Sequence, residues 1–252
     1  MTLESVNQEV EKVPEVLLPN TNIVTHCILK NDVDRLTKCF EDEEDEFKDK
    51  VESLLNIRNE EGKSPLDLAA MLGRNDITRE LLQRGADLSQ ISWKGFSPLH
   101  YAAAWGKIGI LKVLVEHQVN LQQKNAHNER ARETALRYSQ SECVDYLDWA
   151  EAKVNLIAAI KHIQEWITDP ERVQGRLNKE EKNISNGAVK EKTEWVEATV
   201  DATTQDFIQQ KANIEELLAP IMQKLSEPCK CSQEKIFVLS QNISTSSLFD
   251  FY

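Results

Sequence analysis

Three groups of residues in this sequence carry side chains that could do chemistry. His100 ends the stretch Ser97-Pro-Leu-His100, Cys229 and Cys231 stand one residue apart, and Glu41 to Glu46 is an unbroken acidic run. A histidine three residues behind a serine and two behind a proline suits a hydrogen-bonded group inside a capped turn, because an imidazole both donates and accepts. The Cys-x-Cys spacing is shorter than that of ordinary zinc ligands and brings no nearby histidine, which leaves free thiols. The acidic run is too charged to pack and reads as a solvated loop, with a basic partner as the minority reading. No glycine loop that could cradle phosphate is present, and no carboxylate pair stands out from the many acids. These spacings predict no catalytic residue, no metal site and no cofactor. The residues that matter are then those that bind.

An internal repeat supplies the elements that must position them. Gly95-Phe-Ser-Pro-Leu-His-Tyr-Ala-Ala-Ala-Trp-Gly106, moved back by thirty-three residues, lands on Gly62-Lys-Ser-Pro-Leu-Asp-Leu-Ala-Ala-Met-Leu-Gly73. Farther on, Leu81-Leu82 meets Leu114-Val115, and Ala86-Asp87-Leu88 meets Val119-Asn120-Leu121. Ser64 and Ser97 suit helix caps followed by a proline that loses nothing by lacking an N–H. The paired alanines Ala69-Ala70 and Ala102-Ala103 allow close helix approach, and Gly73 and Gly106 suit the left-handed residue that ends a helix. The motif at this period resembles the ankyrin repeat, a hairpin finger followed by two antiparallel helices. The resemblance implies a stacked, non-enzymatic binding scaffold, with His100 as a structural imidazole.

A single unit of this kind cannot bury its apolar face alone, so partial repeats are expected on both sides. His26 to Leu36 reads as a degenerate first repeat with Asn31 in the place of Gly73. An insertion follows, near residues 41–50, leading into a short amphipathic helix with Phe47, Val51, Leu54 and Leu55 on one face. Gln118 occupies the position of Gly85; a left-handed backbone there costs a non-glycine residue on the order of 1 kcal/mol. A fourth repeat runs through Asn128, Ala135-Leu136, Ser139 and Leu147 and reads as a C-terminal cap, with Val144, Leu147 and Cys143 facing repeat three.

Beyond Trp149 the period stops and a second domain is expected. Leu156, Ile160, Ile163 and Ile167 share one helical face up to Asp169-Pro170. Asn178 and Glu181 have capping-box spacing and open a helix bearing Ile184, Ala188 and Trp195. Phe207, Ile214, Leu218, Ile221 and Leu225 mark a third helix, which Pro220 is expected to kink or break. Gly175-Arg-Leu-Asn-Lys-Glu-Glu-Lys182, Glu194-Trp-Val-Glu197, Asp206-Phe207 with Lys211, and Glu215 to Leu225 resemble the C-terminal helical lid of the seventy-kilodalton heat-shock chaperones. The ATPase domain and peptide-binding sandwich of those chaperones are not encoded here. Ankyrin repeats joined to such a segment resemble a small family without known catalysis. That resemblance implies a cytoplasmic, and also nuclear, protein with a thin link to cell division or cilia.

The expected organisation is all-α: a mobile arm over 1–20, an ankyrin-repeat solenoid over 21–150, a helical bundle over 151–227 and a mobile tail over 228–252. The chain has 252 residues, 40% of them apolar, enough for two cores. Its five cysteines are odd in number and lack framework spacing, and the N-terminus lacks signal-peptide character, which fits a reducing compartment. No apolar run approaches the roughly 20 residues that span a bilayer. A formal charge of -12 argues against nucleic acid, whose phosphates are met by lysine and arginine.

Protein partners remain, and the repeat geometry says where they would bind. Finger residues and the two residues after Ala-Ala point into the concave groove. The expected binding residues are Met71 and Leu72 of repeat two, Trp93, Lys94, Phe96 and Trp105 of repeat three, and Arg137 and Tyr138 of repeat four, because interface centres favour aromatics and arginine. The leading reading is an adaptor, with the bundle serving another partner or self-association. The alternative is a chaperone-like holdase, or a modulator of a heat-shock chaperone through the lid-like segment.

Overall fold

The computed structural model describes residues 15–226. The expected tail, the first fourteen residues of the expected arm, and Cys229 and Cys231 lie outside the described residues. All regular structure among the described residues is helical, and the chain divides into two compact units between Asp148 and Trp149. None of these helices is long and apolar enough to cross a membrane.

In the first unit, α1 (Ile23–Lys30) and α2 (Val33–Glu41) form the degenerate first repeat, and α3 (Lys48–Leu54) belongs to the insertion. Repeat two is α4 (Pro65–Leu72) and α5 (Asn75–Gln83), and repeat three is α6 (Pro98–Ala104) and α7 (Ile108–Glu116). Repeat four pairs α8 (Ala131–Arg137) with the opening turns of α9 (Ser141–Thr168). Ala69, Ala70, Ala102, Ala103 and Ala135 are fully buried, so α4, α6 and α8 approach closely where a larger side chain would hold them apart. Leu81, Leu111 and Leu114 of the outer helices are sealed from solvent, as are Leu36 and Ile77. Cys143, Val144 and Leu147 join the cluster of repeat three, as their spacing predicts.

The turns repeat with the helices. Asn31, Gly73, Gly106 and Ser139 all take left-handed backbone with φ of 59°, 71°, 64° and 58°, ending the inner helix of each repeat. Gln118 keeps φ at 57° where Gly85 has 92°, so the third repeat retains the turn despite its side chain.

Two parts of the N-terminal half differ from expectation. Residues 15–20 are tied down: Glu15 pairs with Arg35 at 2.7 Å, Leu17 packs against the first core cluster, and the Leu18 N–H donates to His26 Nδ1 at 2.9 Å. The acidic run is not wholly solvated. Asp45 is half-buried, with its side chain only 6% exposed, and accepts from Arg35 Nη1 at 2.8 Å and from the Phe47 N–H at 3.0 Å. The Arg35 guanidinium thus holds Glu15 and Asp45 together, compensating the burial of a carboxylate that would be costly alone.

The second unit packs the remainder of α9 with α10 (Pro170–Val173), α11 (Lys179–Ala198) and α12 (Thr204–Ser226). Leu156, Ile160 and Ile163 meet Phe207, Ile214, Leu218, Ile221 and Leu225 in one core. Phe207 is held edge-on between Trp149 and Trp195, with ring centroids 5.8 and 5.5 Å away. The Trp149 Nε1–H donates to the Ala202 carbonyl at 2.8 Å. Asn178 and Glu181 make the capping box that their spacing predicts.

Two expectations are corrected here. Ile184 is exposed, while the expected Ala188 faces the core together with Ser185 and Val189, the Ser185 hydroxyl being satisfied by the Glu181 carbonyl at 2.8 Å. Pro220 does not break α12, which continues to Ser226 because Ile221 and Leu225, beyond the proline, are both anchored in the core.

A fragment of residues 149–226 is expected to show a helical circular dichroism spectrum and a cooperative thermal transition. One that begins at residue 151, lacking the Trp149 ring, is expected to melt lower. A non-cooperative melt of the longer fragment would mean that the second unit does not fold by itself.

Candidate protein-binding groove

The inner helices are aimed by one local device. In each repeat the residue at the third helical position accepts the N–H of the cap residue. Thr25 Oγ1 takes the Asn22 N–H at 3.0 Å, Asp67 Oδ2 takes that of Ser64 at 2.8 Å, His100 Nδ1 that of Ser97 at 3.3 Å, and Glu133 Oε2 that of Arg130 at 2.8 Å. Reciprocally, Ser64 Oγ accepts the Asp67 N–H at 3.2 Å. His100 does more than its counterparts. With Nδ1 accepting, Nε2 carries the proton and donates to the Glu129 carbonyl at 3.0 Å, linking repeat three to the finger of repeat four. His100 is therefore the structural imidazole that its position predicts, and burial pulls its pKa down, keeping it neutral.

Asp67, one period earlier, is too short for that reach. Its Oδ1 is buried without a partner, and burial pushes the carboxyl up to about 6 despite the Ser64 hydrogen bonds.

The fingers repeat as well. Asn59, Ser92 and Asn125 donate their N–H groups to the carbonyls of Lys63, Phe96 and Glu129 at 3.0, 2.9 and 2.9 Å, closing three hairpins at the same period. Side chains brace each turn from within: Asn59 Oδ1 accepts from Lys63, Ser92 Oγ from Phe96 and Asn125 Oδ1 from Glu129. Trp93 lies over Gly62, where a Cβ would come within 2.7 Å of its ring, and its Nε1–H donates to the Glu60 carbonyl at 3.0 Å. The Lys94 carbonyl accepts the Ala126 N–H at 3.2 Å. These contacts lock the fingers in a row.

Between the fingers and inner helices lies a groove of about 340 Å³ lined by Met71, Trp93, Lys94, Phe96, Trp105, Tyr138, Glu61, Lys63 and Tyr101. Of the binding residues expected from sequence, the first six meet here, and Leu72 and Arg137 are not in the lining. Leu72 points to solvent elsewhere, and Arg137 is engaged by Glu129 at 3.0 Å. Trp93, Trp105 and Tyr138 are 70%, 57% and 49% exposed.

Phe96 does not belong with them. It is only 8% exposed and packs against the rings of His100 and Tyr101 at 5.7 and 5.4 Å, so it is floor and core rather than a free anchor. Tyr101 was missed as a groove residue. The signal was present: where repeat two has Leu68, repeat three has a ring with a hydroxyl, which donates to Ser92 Oγ at 3.0 Å. The buried thiols of Cys27, Cys39 and Cys143 are pushed up to about 12, 11 and 11 by burial, which removes them as nucleophiles near neutral pH. Among the described residues no group of three or more His, Cys, Asp or Glu could hold a metal ion.

Comparison with known proteins agrees with this architecture. The family model for ankyrin repeats matches residues 16–125 in three copies. Ankyrin repeat domain-containing protein 45 of Danio rerio is 40% identical over 209 residues, covering 82% of this chain and 93% of that protein. The chain belongs to the ankyrin repeat domain-containing protein 45 family. The human member is 37% identical over 207 residues, covering 82% of this chain and 78% of its own length, and that of Mus musculus is 37% identical over 200 residues. The matched repeats end at residue 125, short of α8, so Tyr138 enters the groove from a fourth inner helix outside the family model. Ankyrin repeats are interaction modules, generally non-enzymatic, which makes this a protein-binding chain.

The two buried caps titrate with opposite signs. His100 has a lowered folded pKa, so its contribution is lost as pH falls below the ordinary histidine value. Asp67 has a raised one, so the stability of its protonated form is complete below 3.8 and lost as pH rises through about 6. Asp67→Asn is expected to stabilise the protein by about 3 kcal/mol at pH 7.5, taking 1.36 kcal/mol per pKa unit, and by little near pH 4. Urea unfolding at both pH values checks this, and equal stability of variant and parent at pH 7.5 would contradict it.

Proposed function

We propose that the chain is a non-enzymatic adaptor that holds a protein partner in the groove of repeats two to four. The observation that carries this reading is the meeting of Trp93, Trp105 and Tyr138, all substantially exposed, over a floor of Phe96, Tyr101 and Met71. Half-bare aromatics around a formed hollow suit a partner's apolar anchor, because interface energy concentrates in buried aromatic contacts. The second unit leaves Val154, Ile157, Ile208 and Leu217 open to solvent, which suits a further protein partner or a second copy of the chain.

Two substitutions separate binding from folding. Trp105→Ala is expected to weaken partner capture by roughly thirtyfold, about 2 kcal/mol, with the melting temperature nearly unchanged. Phe96→Ala removes core and is expected to lower stability by about 3–5 kcal/mol. Captured proteins are quantified by mass spectrometry per folded molecule, with Leu217→Glu as the probe of the second surface. Undiminished capture by Trp105→Ala would remove the groove from the account.

A further inference from the structure

The chemistry of the groove selects what can enter it. Aromatic faces attract cations, and an aromatic-lined hollow is ordinarily a candidate for a cationic side chain. Here the rings of Trp93, Tyr101 and Tyr138 already carry cations of the chain itself. Lys63 Nζ lies 5.7 Å from the Tyr101 ring centre, the Arg58 guanidinium 5.9 Å from that of Trp93, and the Arg137 guanidinium 4.9 Å from that of Tyr138. Two of these cations are themselves held by acids, Lys63 by Glu61 at 2.5 Å and Arg137 by Glu129 at 3.0 Å. At those three rings an incoming cation would have to displace a resident one and would meet its charge.

Lys94 stands differently. It is exposed on the finger, lines the groove beside Trp93, and makes no ion pair among the described residues. Its field reaches Glu61, whose carboxyl is held low chiefly by its hydrogen bond to Lys63 and in smaller part by Lys94. The groove volume, about 340 Å³, is at the low end of the roughly 300–1,000 Å³ typical of small-molecule pockets. Three of its walls are exposed side chains, so it suits a side chain presented by a larger molecule rather than an enclosed small ligand.

We propose that the groove takes an acidic peptide segment of a partner protein, with one bulky aromatic or aliphatic residue seated among Trp93, Trp105 and Tyr138 and a neighbouring carboxylate on Lys94. This rests on the adaptor reading and names the partner's chemistry. The formal charge of -12 repels such a segment at long range, but that repulsion is screened beyond a Debye length of about 8 Å at physiological salt. At contact the segment meets Lys94, Lys63 and Glu61, of which Glu61 is already paired with Lys63 and Lys94 makes no ion pair among the described residues.

The test is selection of a displayed library of random twelve-residue peptides on the full chain, followed by binding measurements with the chain, Lys94→Glu and Trp105→Ala. Both substituted side chains are exposed, so both variants are expected to fold. Enriched peptides are expected to carry a bulky apolar residue flanked by Asp or Glu, and to bind each variant at least tenfold more weakly. Basic or uncharged peptides that lose affinity for Trp105→Ala but not for Lys94→Glu would overturn the proposed chemistry and leave the groove standing. Peptides indifferent to both variants would overturn the groove as well, and failure to enrich any peptide family would overturn the proposal.

Discussion

The inner helices are set by a hydrogen bond from the cap residue's N–H to a side chain three residues on. It recurs at Asn22, Ser64, Ser97 and Arg130 with a threonine, an aspartate, a histidine and a glutamate as acceptor. Four chemistries satisfy one geometric demand: a donor at a helix start wholly or partly withdrawn from water must be paired. Because the start of each inner helix is held, the alanine faces of α4, α6 and α8 meet in register and the fingers are carried to one side. The row of fingers and the open groove are consequences. Only His100 also spans to the next repeat, and it does so beside the groove, where repeats three and four must hold their spacing for Trp105 and Tyr138 to face the same hollow.

The stack tolerates departures where the backbone alone carries the load. Asn31, Gln118 and Ser139 adopt the left-handed turns that glycine fills elsewhere, so the strain is borne locally and the helix pairs keep their directions. Burying polar groups is handled differently: most are met by a specific partner. Asp45 and Glu15 share Arg35, Tyr101 finds Ser92, and Ser185 finds its own helix. Among the described residues Asp67 Oδ1, Arg74 Nε, Gln90 Oε1 and Gln210 Oε1 are exceptions, and at Asp67 burial shows as a raised pKa of the carboxyl.

The repeats were legible because their constraints are local. A period of thirty-three, a serine-proline start, paired alanines and a left-handed end each follow from the geometry of a few adjacent residues. The second unit was legible where an apolar stripe has one residue per turn, as from Ile214 to Leu225. What escaped depends on contacts distant in sequence. Asp45 looks solvated until Arg35 comes beside it. Ile184 and Ser185 are adjacent, and only the packing of the bundle decides which faces inward. Phe96 shares the hydrophobicity of Trp93 and Trp105, yet its place at the finger base turns it under the groove while theirs leave them above it. Pro220 breaks a local rule, and tertiary anchoring on both sides overrides it.

The central claim is that partners are held on the concave face, between fingers and inner helices. Site-specific photo-crosslinking tests it most directly, with a photoreactive phenylalanine analogue placed either at position 105 in the groove or at position 112 on the exposed side of α7. The account predicts partner adducts from position 105 and none above background from position 112. Adducts from position 112 with none from position 105 would place the partner on the outer helices and contradict it.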